Sequence, residues 1–406
     1  MSSDLILTHD DDFIQAKSFT FNSNNDISTS LQGQDNPLGN YAKSTTLSKN
    51  KYSLDPLKIR HERYITQDKI QLLLNQSTND DEFKNLKKCM RAPFSSAVSI
   101  HHNKEHNKAF YGNLIQCASV WGCPVCSAKI QARRALEISK AVCYAYHNKK
   151  KAIMITLTQP HTKEDSLADI VAKHKVAISK FKSGKQFTNF SKRTGCYGKI
   201  RSSECTYSNI NGWHWHVHEL WFVDESCDIE VEKQFLINKW YNACTKAGFV
   251  INDKEAFWEH SVDIIDEAHT SDYLAKSGQF WGIDKELVKG AAKKGHGKNP
   301  FDLANSNNKA DNMRFVEYLQ VTRGKAQLYW SPKLKSLVGV TDKTDEELVE
   351  EDKENAELIA FIEKDLWKCI LNNGARSTIL DIVEKHGFNG LREWFCKHGF
   401  QLDPPV

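Results

Sequence analysis

The chain of 406 residues has no apolar run near the ~20 residues that a membrane-spanning helix needs. Its opening, MSSDLILTHDDD, carries acids where a secretory signal carries Lys or Arg. Membrane insertion and signal-driven export are therefore not expected, and a cytoplasmic location is. Internal repeats are missing, and so is a disulfide framework. Three of the 11 cysteines crowd into CASVWGCPVC and the others are scattered singly, as in a protein kept reduced. With 40% hydrophobic and 26% charged residues, the chain is long enough for two or three domains with sizeable cores, which excludes a collagen-like, fibrous or wholly disordered protein.

The net charge of +4 conceals a strong polarity. Residues 84–201 hold 23 Lys and Arg against 5 Asp and Glu, an excess of 18 positive charges, so the remainder carries a net −14. A basic block that also contains regular secondary structure is the footprint of a polyanion, because each neutralised phosphate releases condensed counterions. Nucleic acid is the expected partner. The alternative is a set of solvated helix faces, as in residues 168–185, where basic residues recur among apolar ones.

Residues 1–50 are rich in Ser, Asn, Asp, Thr and Gly with few aliphatics, and are expected to form a mobile arm. A cysteine-rich and helical region over 51–150 follows, with a short amphipathic helix near 67–76 and a longer helix over 128–147. Residues 151–340 alternate in type. Strands are expected at 152–159, 198–207, 213–223, 258–265 and 326–330, and helices at 165–182, 229–247, 267–277 and 311–322, with a Gly/Lys-rich, phosphate-facing loop at 289–298. The loop SNING marks a hairpin. The expected fold class is α+β, an antiparallel sheet flanked by helices. Residues 341–406 read as an acidic linker, with nine acids and two lysines over 342–357, followed by a small helical C-terminal subdomain.

Cys117-x5-Cys123-x2-Cys126 has the spacing of a structural zinc site, since a CxxC pair presents two thiolates about tetrahedrally to one ion. The fourth ligand is Cys89 in KKCMRAP, with His101, His102 and His106 as rivals. Without zinc the pair is a buried or redox-active CxxC. Such a site would pin Lys129, Arg133 and Arg134 for contacts to a nucleic-acid backbone. In WHWHVHEL, strand alternation sends His214, His216 and His218 to one face. Two imidazoles two residues apart can grip one divalent ion. The third ligand is either His214 or Glu204, which a loop centred near Ile210 sets opposite His216. Glu204 is preferred, because one carboxylate with two imidazoles and open positions suits Mg²⁺ or Mn²⁺ acting on phosphate. Otherwise the strand presents a solvated, pH-sensitive face.

DEAHTSDYLAKSG places Tyr273 and Lys276 at i and i+3 on one helix face. Together with the histidine strand this assembles a mechanism. Tyr273 attacks a phosphodiester, the metal polarises the phosphate, and Lys276 stabilises phenolate or phosphate, leaving a 5′-phosphotyrosyl link and a free 3′-hydroxyl.

WHWHVHELWF resembles the histidine–hydrophobic–histidine motif of HUH endonucleases, TLTQP at 156–160 resembles their first motif, and YLAK their third. Their order, with CASVWGCPVCSAKI before them and NPFDL and GKAQLYWSPKLKSLVGV after, resembles bacterial plasmid rolling-circle replication initiators with one catalytic tyrosine, over roughly residues 89–340. The resemblance implies that His216 and His218 bind the metal with Glu204, and that Tyr273 is the nucleophile. Thr156 and Thr158 lie on the central strand with no assigned role. Such initiators often place an acid about four positions before the tyrosine to activate water in the terminating cleavage. Here that position is His269, and Asp266 returns to the same helix face, so His269 or Asp266 is the candidate base. The implied partners are plasmid origin DNA, nicked as a single strand, and a host helicase with other replication proteins. A mobilisation relaxase or transposase shares the chemistry, although relaxases tend to set the tyrosine ahead of the histidines. The non-enzyme alternative is a zinc-stabilised DNA-binding regulator in which Tyr273 merely packs.

Overall fold

The computed structural model describes residues 56–266, 297–350 and 355–404. The expected N-terminal arm, the 267–277 helix and most of the Gly/Lys-rich loop lie outside them. The first part of the chain forms α1 (Pro56–Ser77), α2 (Lys84–Lys88), β1 (Val98–Asn103), β2 (Lys108–Gly112) and α3 (Pro124–His147). Next come β3 (Lys150–Thr158), α4 (Leu167–Phe181), α5 (Gly184–Arg193), β4 (Gly198–Ser208), β5 (Gly212–Asp224), α6 (Ile229–Lys246), α7 (Lys254–His260) and β6 (Val262–Ile265). After residue 297 follow α8 (Pro300–Asn305), α9 (Lys309–Thr322), β7 (Leu328–Trp330), α10 (Leu334–Leu337), α11 (Asp345–Val349), β8 (Ala356–Ile362), α12 (Lys364–Asn372) and α13 (Arg376–Lys397). This is an α+β architecture with two antiparallel sheets, β6-β3-β5-β4-β7 and β2-β1-β8.

Local chemistry starts the helices around the large sheet. Ser166 caps α4 by accepting from Asp169 N, Asp228 caps α6 from Glu230 N, and Asn299 with Asp302 closes a capping box on α8. Three local expectations are overturned by tertiary contacts or caps. The 258–265 stretch splits, because Asp253 caps α7 through Ala256 N and only the last four residues pair with β3. The helical period read after 357 gives way to β8, which pairs along β1. Helix α1 starts well before the apolar pattern does, since Arg60 is tied to Asp381 and Glu384 of α13.

Cross-strand partners share a face, so the register sorts the large sheet. On one face Ile153, Ile155, Leu157, Val217 and Trp221 pack under Phe181, Phe190, Leu236 and Trp240 from α4, α5 and α6. Each of these aromatics contributes up to about 3 kcal/mol by burial. On the other face Ala152, Met154, Ile200, Leu220 and Phe222 lie beneath Ile138, Ala141, Val142 and Ala145 of α3 and Leu334 of α10. That apolar cover ends at one row. Beyond it the same three strands carry Thr156 and Thr158, then Ser202, Glu204 and Thr206, then His214, His216 and His218.

The C-terminal segment is mainly helical and is built onto the cysteine region. β8 joins β1, and α13 contributes Ile379, Leu380 and Val383 to the core shared with Ile70, Leu74 and the four clustered cysteines. The acidic stretch packs rather than hangs: Leu348 and Val349 are buried, Arg134 pairs with Asp345, and Arg133 donates to the Glu350 carbonyl at 2.6 Å. Arg376 locks the two ends together. Only 1% exposed, it donates to Gln67 Oε1 (2.9 Å), the Met90 carbonyl (2.9 Å) and Asp68 Oδ1 (2.6 Å), and lies over the Tyr64 ring. Arg376→Leu should strand these acceptors and cost about 3 kcal/mol. Urea unfolding with an unchanged slope and a lower midpoint would register that loss, whereas an unshifted midpoint would show that the lock contributes nothing.

Candidate metal centres and the polar face

The β4–β5 register sets Glu204 opposite His216 and Ser202 opposite His218, while β3 sets Thr156 opposite His218 from the other side. Glu204 Oε2 lies 2.8 Å from His216 Nε2 and 2.5 Å from His218 Nε2, and the two nitrogens are 3.1 Å apart. Three lone-pair donors aimed at one point repel one another unless a cation or proton sits among them. Their spacing is close to the ~3 Å between neighbouring ligands of an ion with ~2.1 Å bonds. The donor set therefore fits a divalent ion. Burial alone would raise the Glu204 carboxyl, but the two imidazoles beside it hold it down at about 2. His214 does not join the group of converging ligand atoms. Its ring packs 4.8 Å from those of His216 and His161, and burial pushes its basicity well down.

The two histidines of the triad are held differently. His218 Nδ1 is 3.0 Å from Thr156 Oγ1. For Nε2 to bind an ion it must be bare, and with an ion bound the proton would sit on Nδ1 and be donated to the threonine hydroxyl. His216 Nδ1 is buried with no hydrogen-bond partner among the described residues. Behind this row, on the helix-covered face, Glu219 is fully buried and accepts from Lys182 Nζ (2.5 Å) and Trp221 Nε1 (2.7 Å). Burial would raise its carboxyl, and the Lys182 charge overcomes this, so it stays ionised and braces β5 against α4. His174, pushed down to about 3 by burial, is a neutral core residue whose Nδ1 meets Gln159 Oε1 at 2.7 Å.

Of the remaining sequence candidates, Tyr273, Lys276 and His269 lie outside the described residues. Asp266 is not brought to the triad: its carboxylate is held by Lys151 Nζ at 2.8 Å, and Lys151 leaves β3 on the helix-covered face, beside Val223. An acid that shares the polar face with Glu204 is Asp263, opposite Thr156 in β6 and in the same row as His218. Sequence reasoning missed it. Its signal was a single acid alternating with Val262 and Ile264.

Cys89, Cys117, Cys123 and Cys126 converge. Their sulfurs are 3.7 Å (89–123), 3.5 Å (89–126) and 3.8 Å (117–126) apart, against about 3.8 Å between ligands of a tetrahedral ion with 2.3 Å Zn–S bonds. His101 and His102 are engaged in the β1–β2 hairpin with Ser99 and Asn107. Cys123 is also the N-cap of α3, accepting from Cys126 N (3.4 Å), with Pro124 in the first turn and Gln67 Nε2 donating at 3.1 Å. Burial raises the Cys117 thiol, whereas at Cys123 the hydrogen bonds from its neighbours outweigh burial and lower it. Four thiolates this close would need a cation between them. The cluster does not present Arg133 and Arg134 outward, since both are engaged with the acidic segment. Lys129 Nζ lies 3.4 Å from Gln116 Oε1.

The family model described as Replication protein matches residues 112–360, more than half of the chain, including the Glu204, His216 and His218 triad. "Protein rep" of Streptomyces lividans is 25% identical over 295 residues, 56% of this chain and 64% of that protein. A "Neomycin resistance protein" of Streptomyces cyanogenus is 28% identical over 134 residues, 27% of this chain and 31% of that protein. The chain thus spans just under two thirds of the first relative and about a third of the second. No solved structure matches it.

Thr156→Val should weaken Mn²⁺ binding at the triad about 10-fold, while Thr156→Ser retains it, as titration calorimetry would show. Cys89→Ser should lose one equivalent of zinc by elemental analysis and unfold at a lower temperature, because Cys89 sits in the core with Leu86 and Val120. Retention of the metal by that variant would point to a different fourth ligand.

Proposed function

The chain belongs to the replication-protein family, and from that premise we propose that it is a plasmid rolling-circle replication initiator that nicks and rejoins one strand of origin DNA. The observation that carries this reading is the convergence of Glu204, His216 and His218 on the half of an antiparallel sheet that the apolar cluster under α3 does not reach. A Mg²⁺ or Mn²⁺ ion bound there would polarise the scissile phosphate and offset its developing charge. Glu204, His216 and His218 would hold the ion, with Thr156 keeping His218 in the ligating tautomer. Tyr273 would be the nucleophile: its oxygen bonds to phosphorus as the 3′-oxygen leaves, giving a 5′-phosphotyrosyl link and a free 3′-hydroxyl. Lys276 would stabilise the phenolate.

The reach is adequate. The described chain stops at Asp266, on the strand two places from β5, and resumes at Gly297, beside Thr206 and Tyr207. Tyr273 lies seven positions beyond Asp266, a span of up to ~25 Å. Two strand spacings and three residues along β6 amount to only about 14 Å. The Cys89, Cys117, Cys123 and Cys126 set is proposed as structural zinc, closed and without a chemical role. The chain order, with the tyrosine after the histidines, favours an initiator over a relaxase. The partner is origin DNA; a host helicase is a further expected partner.

The test is to incubate the full chain and Mn²⁺ with labelled single strands tiled across the non-coding DNA beside its gene, and to resolve the products on a denaturing gel. A metal-dependent covalent protein–DNA band is expected, absent in Tyr273→Phe and reduced at least 100-fold in His218→Ala. A band that survives Tyr273→Phe would reassign the nucleophile. Binding without any band in the wild type would leave a zinc-stabilised DNA-binding regulator instead.

A further inference from the structure

The β4–β5 hairpin runs on past the triad and ends in a turn, Asn209, Ile210 and Asn211, that presents one apolar side chain to solvent. Ile210 is 83% exposed, more than any other large hydrophobic among the described residues. Single exposed apolar residues are ordinary on protein surfaces, so exposure alone means little here. Two further features set this one apart.

The tip is rigid. Ser208 Oγ accepts from Ile210 N (3.2 Å) and Asn211 N (2.9 Å). Gly212, at φ +75°, lies so close to the 162–163 backbone that a Cβ would stand 2.8 Å from Lys163 Cα and 2.9 Å from the Thr162 carbonyl. That loop is itself held by Asp165, whose carboxylate accepts from Thr162 N (2.7 Å) and Thr162 Oγ1 (2.9 Å). At the base of the hairpin, Tyr207 and Trp213 pack edge to face at 5.1 Å, both buried. An isoleucine on so firm a support can transmit force to a partner, which a residue on a loose loop cannot.

The tip also terminates the polar face. From the Glu204–His216 row the strands carry Thr206 and His214, with His161 against it, then Ser208 and Gly212, with exposed Lys163 alongside. The six positions from His216 back through Gly212, the start of β5, to Ile210 in the turn span at most about 20 Å. Hydrogen-bonding and basic groups therefore line the way from the triad to a firmly held apolar point.

We propose that Ile210 is a strand-separating wedge that inserts at the junction between duplex DNA and the unpaired strand lying on the polar face. Apolar side chains placed between base steps unstack them in this way. The proposal rests on the DNA-processing reading above and gives it a specific partner, a duplex–single-strand fork.

The test uses the full chain and a fork whose single-stranded arm is the tile that gives the covalent band, or the tile that binds best if none does. 2-Aminopurine at the first base pair reports unstacking without any cleavage. The wild type should raise its fluorescence at least threefold, Ile210→Ser should leave it near that of free DNA, and Ile210→Phe should restore it. Ile210→Ser should nick the single-stranded tile within twofold of wild type and a duplex version at least tenfold more slowly. Unstacking by Ile210→Ser equal to that of wild type would overturn the wedge, as would an equal loss on both substrates. A wild type that unstacks the fork but nicks nothing would support the wedge and remove the nicking reading, so the two failures are distinguishable.

Discussion

The polar face depends on one row at which three adjacent strands exchange apolar for polar side chains. Met154, Ile200 and Leu220 lie on the α3 side of that row, and Thr156, Ser202 and His218 on the other. Helix α3 packs on the first group and stops, so the face changes there from an apolar core to a row of hydrogen-bonding and ligand side chains. Because side chains alternate along a strand, slipping β5 by one residue would drive His216 and His218 into the aromatic core and turn Val217 and Trp221 outward. The cost of burying two imidazoles without partners and exposing a fully buried tryptophan is what enforces the register that brings Glu204 to them.

The cysteine cluster and the triad are mechanically linked through α3. Its first residues are the CPVC turn, and its last turns roof the apolar half of the sheet. At 24 residues the helix spans about 36 Å. Anchoring its N-terminus at four sulfurs therefore sets where its far end lies on the sheet. The Trp121–Trp215 contact at 5.9 Å and the Trp121–Tyr318 contact at 6.1 Å join the cysteine lobe to the end of β5 that carries the histidines. Metal in the cluster would thus act on the polar face by fixing its frame, with no part in bond breaking.

Charge is distributed with the same logic. The basic excess of residues 84–201 is not a free patch throughout, because Arg134 is paired with Asp345, Arg133 is tied to the Glu350 main-chain carbonyl and Lys182 is paired with buried Glu219. The acidic segment that looked like a linker is a surface partner of α3. Around the triad, burial lowers the basicity of His161 and His214, and the acids on the same face are Glu204 and, in β6, Asp263.

The sequence alone was enough to establish the α+β class, the histidines on one face of β5, the hairpin that sets Glu204 against His216, and the CxxC geometry. These are properties of short-range periodicity and spacing, which depend on the chain's own stereochemistry. Tertiary structure decided the rest. Whether residues 356–362 form a helix or a strand depended on β1 offering unpaired backbone groups, and whether the strand expected at 258–265 could begin at 258 depended on the Asp253 cap that starts α7. That Asp266 faces away and Asp263 faces in follows from a four-residue strand too short to show its register in sequence. Thr156 had no role assignable from sequence, and its hydrogen bond to His218 arises only because two strands distant in sequence lie side by side. Pairings between distant segments are set by the burial they jointly achieve, and no local pattern encodes that sum.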